Sequence, residues 1–106
     1  MSLRRVELSH CLSAEIEDAP GLRCVVLSGE FDISGASPVR DLIAGLAGFA
    51  VVVDLSRLEF MSAAGIGVLL EARELVAGAG NHLVLAGATP PVRRLFSLLG
   101  LANLLE

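Results

Sequence analysis

Asp32, Asp54 and Ser62 are polar side chains placed at or just beyond the ends of predicted strands or at a helix head. Asp32 follows Gly29-Glu30-Phe31, Asp54 follows Val51-Val52-Val53, and Ser62 follows Phe60-Met61 at the head of a long helical pattern. Two aspartates suggest the acidic pair of a phosphoryl-accepting receiver site. That chemistry needs an ammonium partner, and every basic residue here is an arginine. The lack of lysine also excludes a P-loop phosphate cradle and Schiff-base catalysis. Ser62 has no Gly-x-Ser-x-Gly setting and no histidine at a recognisable spacing, and no Gly-x-Gly-x-x-Gly follows a strand. Catalysis is therefore not expected.

Two readings of Ser62 remain. As an N-cap it does no more than close the first helical turn. Alternatively, the free amides of Ala63, Ala64 and Gly65 lie at a positive helix end, which accommodates a phosphate, bound or covalently attached. Gly65 and Gly67 would let a partner's backbone approach closely. Asp54 and Ser56 read as supports of the loop between strand and helix, and Asp32 as the polar group of a turn.

The chain has 106 residues, which fits one domain spanning 1–106. Residues 1–3 read either as a cloning remnant or as native chain, and no secretory signal pattern is expected at the N-terminus. The composition is 54% hydrophobic, yet no run approaches the roughly 20 apolar residues of a membrane span, so a filled core is expected and not membrane insertion. Net charge is −4, with no basic tract and no Trp or Tyr, which argues against nucleic-acid binding. Cys11 and Cys24 form no metal motif, and Cys24 reads as a buried reduced thiol. His10 and His82 lie far apart, without ligand-type neighbours, so neither a metal nor a cofactor is expected.

The elements that position these side chains follow from periodicity. Val6 to Ile16 alternates apolar and polar residues, as a half-exposed strand or two strands broken near His10-Cys11. Asp18-Ala19-Pro20-Gly21 is a turn, and Leu22–Leu27 completes an antiparallel hairpin. Ser37-Pro38 predicts a helix start whose inner face is Val39, Leu42, Ile43 and Leu46, with Gly48 as its stop. Ala50–Val53 reads as a short central strand, covered on one face or both, followed by a loop up to Met61. The helix after Ser62 runs to Ala79 with a narrow polar stripe of Gly67, Glu71, Glu74 and Gly78. Its wide apolar arc implies deep packing or a partner surface. His82–Leu85 is a further strand. Val92, Leu95, Phe96 and Leu99 mark a third helix, and Leu101, Leu104 and Leu105 a short docked piece. The order implies an α/β fold: a mixed, mostly parallel sheet with an antiparallel N-terminal hairpin strand, packed by three main helices.

Gly29-Glu30-Phe31-Asp32-Ile33, then Val51-Val52-Val53-Asp54-Leu55-Ser56, then Phe60 to Leu69 resemble the STAS domain, and most closely the bacterial anti-sigma factor antagonists, or anti-anti-sigma factors. The resemblance covers nearly the whole chain. It implies a cytoplasmic regulatory module that binds an anti-sigma factor, itself a serine kinase of the GHKL ATPase type, and so frees a sigma factor. The kinase phosphorylates a serine at the N-terminus of the second helix, and a phosphatase resets it. By the resemblance, Asp32, Met61, Ser62, Ala63, Ala64, Gly65 and Gly67 would meet the partner. A bulky residue at Gly65 would then abolish docking without unfolding the domain. The family's motif there is Asp-Ser-Ser-Gly or Asp-Ser-Ala-Gly, with the acceptor after the aspartate. Here those two positions are Ser62 and Ala63. Either Ser62 is the acceptor or the switch is lost. A STAS subunit that props up a transporter or other multi-protein complex, without phosphorylation, is the alternative.

Overall fold

The computed structural model describes residues 2–106. Its strands are β1 (Ser2–Glu7), β2 (Leu12–Ala19), β3 (Leu22–Phe31), β4 (Ala50–Met61) and β5 (Leu83–Ala86). Its helices are α1 (Ala36–Ala44), α2 (Ala63–Gly78) and α3 (Pro90–Leu98), with short 3₁₀ turns at Ile33–Gly35 and Ala102–Leu104. The sheet order is β1-β2-β3-β4-β5. The first two pairings are antiparallel, and β3–β4 and β4–β5 are parallel. The sheet is thus mixed, as expected, with its break at residues 8–11. Met1 lies outside the described residues, whereas Ser2 and Leu3 pair with Asp18 and Glu17 as part of the sheet.

Because β3, β4 and β5 succeed one another in one direction, right-handed crossovers put α1 and α2 on the same face. One core results. Leu12, Ala14 and Ile16 of β2, Val25 and Leu27 of β3, Val51, Val53 and Leu55 of β4, and Leu83 and Leu85 of β5 all bury there. Val39 and Ile43 of α1, Leu69 and Val76 of α2, and Val92 and Phe96 of α3 close over them.

Four sequence expectations are corrected. The stretch before Met61 is not a loop, because β4 runs on through it. Its buried residues step by two through Val51, Val53 and Leu55, then by three to Leu58 and Met61. Two register shifts against β3 explain this. Val26 faces Asp54 while Ser28 faces Arg57, and Gly29 faces Leu58 while Glu30 faces Phe60. Each inserts an extra β4 residue, and each bulge restores the inward face. The first helix begins at Ala36, with Gly35 at its cap position, so Ser37 lies inside it. That helix ends at Ala44, and Gly48 belongs to the turn that follows. Cys24 is a free, half-buried thiol on the sheet face away from the helices.

The wide apolar arc of α2 divides. Ile66, Val68, Leu69, Ala72 and Val76 bury, whereas Leu75 is 43% exposed. Arg40 of α1 reaches Glu71 of α2 at 2.7 Å and ties the two helices at the surface.

Candidate functional site

Phe31 and Met61 form the last pair of the parallel β3–β4 ladder. The next residue on each strand is Asp32 and Ser62, so the ladder itself sets these two polar groups side by side. The Ser62 amide donates to the Phe31 carbonyl at 2.9 Å, which ties the head of α2 to the end of β3.

Ser62 has extended backbone angles, and its Oγ accepts from the Gly65 amide at 3.3 Å. It is a working N-cap. The amides of Ala63 and Ala64 then lie in the first turn, where no backbone acceptor exists for them. Ala63 is exposed, and Ser62, Ala64 and Gly67 are half-buried.

Asp32 caps the 3₁₀ turn that opens the next segment. Its carboxylate accepts from the Ser34 amide at 2.9 Å and from the Ser34 hydroxyl. The Cys11 thiol donates to its other oxygen at 3.7 Å. The Ser34 hydroxyl, then the Ser34 amide, with a smaller part from Cys11, hold the Asp32 carboxyl below the usual carboxylate range.

Two of the expected contact residues are buried. Met61 is 5% exposed and belongs to the core. Gly65 is buried against Phe31: a Cβ there would lie 3.1 Å from both the ring Cγ and the carbonyl oxygen of Phe31. Gly35 also approaches this ring, where a Cβ would lie 3.3 Å from Phe31 Cδ1 and 2.7 Å from Leu12 Cδ2. Two glycines at two helix starts thus pack against the Phe31 ring. A bulky residue at Gly65 would strike the core, so it cannot test docking in the way the sequence suggested. At Gly67 the space a Cβ would enter is open.

Asp54 is not at this junction. It stands in mid-β4 opposite Ala86, the last residue of β5. Its Oδ1 accepts from the Ser56 amide at 2.8 Å across the first bulge, a tie within a strand and not in a loop. Gly87 passes beside it with φ +71, and a Cβ there would come within 2.9 Å of that oxygen.

Sequence reasoning did not name Ile33 or Phe60 as contact residues. Ile33 is 72% exposed and sits between Asp32 and Ser34. Phe60 is 49% exposed, one residue before Met61. A large apolar residue inside a polar turn was the available signal for Ile33. Among the described residues, no group of three or more His, Cys, Asp or Glu is placed to hold a metal, and no helix is long and apolar enough to cross a membrane.

The arrangement offers an exposed apolar side chain, a charged carboxylate and a helix N-terminus in one patch. Such a patch suits recognition of another protein.

The family model described as Mlab, STAS domain, matches residues 17–106. The chain is 32% identical over 98 residues to an anti-sigma F factor antagonist of Paenibacillus polymyxa, covering 89% of this chain and 84% of that one. Among solved structures, an anti-sigma factor antagonist from Mycobacterium paratuberculosis is similar at 28% identity and a TM-score of 0.76, over 89% of this chain and 82% of that chain. The anti-sigma factor antagonist SpoIIAA in its unphosphorylated form shares the fold, at 21% identity and a TM-score of 0.77, over 88% and 85% of the two chains.

Proposed function

Because the chain belongs to the STAS domain family, we propose that it is an anti-sigma factor antagonist, a cytoplasmic binding module and not an enzyme. It docks on an anti-sigma factor through Asp32, Ile33, Ser62, Ala63, Ala64 and Gly67. The observation that carries this reading is the Ser62–Phe31 hydrogen bond, which joins the Asp32 turn and the α2 cap into one surface. The Paenibacillus polymyxa relative supports the partner class. The finer partner type is a serine kinase of the GHKL ATPase type, with a phosphatase opposing it.

Position 63 carries no hydroxyl, so any phosphorylation control at this helix start runs through Ser62, and without it the switch is lost. A phosphate there would sit at the positive end of α2 and add about −1.5 to −2 charge to the docking patch. The same modification would replace the hydroxyl that caps Gly65. Incubation with the anti-sigma kinase and ATP, followed by peptide mass spectrometry, tests this step. Phosphate on Ser62 supports it, and an unmodified chain removes it.

Ala63 also favours a second reading: a STAS subunit of a transporter or other assembly that is never phosphorylated. There the domain would bind its ATPase partner equally well before and after treatment with kinase and ATP.

A further inference from the structure

The helices cover one face of the sheet, and the other face is open. On an open face outward residues are ordinarily polar. β1 and β2 mostly follow this: Arg5, Glu7, Ser13, Glu15 and Glu17 point away from the core, and Leu3, 66% exposed beside Glu17, is the exception. The three inner and distal strands do not. In register, Leu22 lies beside Ala50, Cys24 beside Val52 and then Val84, and Val26 beside Asp54 and then Ala86. None of these side chains belongs to the helix-covered core. An apolar strip, interrupted at Asp54, therefore faces away from the helices, and such strips mark interaction surfaces.

Charge decides what covers it. Arg5 pairs with Glu7 at 3.0 Å, and Arg57 with Glu15 at 3.3 Å. Glu17 and Asp54 have no cationic partner among the described residues: Glu17 borders the strip beside Cys24, and Asp54 lies within it between Val26 and Ala86. Both carboxylates act on that thiol. Burial pushes the Cys24 pKa up first, and Asp54 and Glu17 push it further. An anionic lipid surface would be repelled here. A second copy would bring the same two carboxylates against their equals. A cationic apolar element satisfies both the strip and the charges.

We propose that the open sheet face is a second docking surface, which takes an amphipathic helix of a protein partner carrying arginine or lysine beside its apolar stripe. It uses none of the residues of the Ser62 patch, so the chain would hold two partners, or two parts of one partner, at once.

The test is a titration of the ¹⁵N-labelled protein with a synthetic leucine–arginine amphipathic peptide of about 18 residues, five helical turns. The expected result is amide shifts centred on Cys24, Val26, Val52 and Val84. Glu17→Arg and Val52→Arg should each weaken binding about tenfold or more while leaving the melting temperature close to wild type. Shifts centred on Glu71 and Glu74 of α2, or affinity unchanged in both variants, would overturn the proposal. So would association with phosphatidylglycerol vesicles through the same residues, or a dimer in solution that Val52→Arg disperses.

Discussion

The Ser62 amide donates to the Phe31 carbonyl at 2.9 Å, one residue past the last ladder pair. This contact couples a helix cap to a strand end. It makes the position of Ser62 depend on the β3–β4 register and therefore on the two bulges of β4.

Ser62→Ala removes the oxygen that accepts from Gly65. The cap is worth about 1 kcal/mol, within a range of roughly 0.5–2. Thermal unfolding should show Tm lower by several degrees, on the order of 4–8 °C per kcal/mol at this size. Ser62→Asp keeps a cap oxygen and should melt near wild type. That result would also explain why serine can occupy the aspartate position of the family motif without cost to the fold.

Ala63→Ser places a hydroxyl on an exposed first-turn residue. Stability should change by less than about 0.5 kcal/mol, as for other surface substitutions. With the anti-sigma kinase and ATP, mass spectrometry should find phosphate on the new residue at 63. No modification there would mean that the partner is not a serine kinase reading this helix start.

Gly65 and Gly67 separate folding from docking. Gly65→Val pushes a side chain into Phe31 and should cost about 1–3 kcal/mol, read from urea unfolding. Gly67→Leu enters open space, so its unfolding midpoint should stay near wild type while affinity for the anti-sigma factor drops. Equal destabilisation by both substitutions would contradict the packing described.

Asp32 has a lowered pKa, so its hydrogen bonds add stability above the ordinary carboxylate range and lose it as pH falls through the folded pKa. A ¹³C-detected carboxyl titration should place its midpoint below the ordinary value. Ser34→Ala removes the largest cause and should move the midpoint up. An unmoved midpoint would deny the Asp32–Ser34 bond its role.

Much of this was legible in the chain. Period-two alternation from Val6 to Ile16 marked β2 and only the end of β1, the i, i+3, i+4, i+7 spacing marked α1 and α3, and the Ser62 cap stood out before Ala63. The end of β4 was not legible, because its bulges turn a spacing of two into the spacing of three from Leu55 to Leu58 and Met61. That spacing, read locally, is not a strand signal. The same bulges hid the position of Asp54, which looked like a strand terminus and lies in mid-strand. Gly65 suggested room for a partner, but only tertiary structure reveals that Phe31 fills that room. Ile33 stands within the Gly29–Ile33 motif, yet its exposure depends on the 3₁₀ turn that Asp32 caps.

Ile33 is the most direct probe of the proposed docking patch, since it is 72% exposed and contributes little to the core. Isothermal titration of the anti-sigma factor with wild type and Ile33→Arg tests the central claim. The account predicts affinity lower by about thirtyfold, or ~2 kcal/mol, for the variant, with an unchanged melting temperature. Full affinity in Ile33→Arg would contradict it.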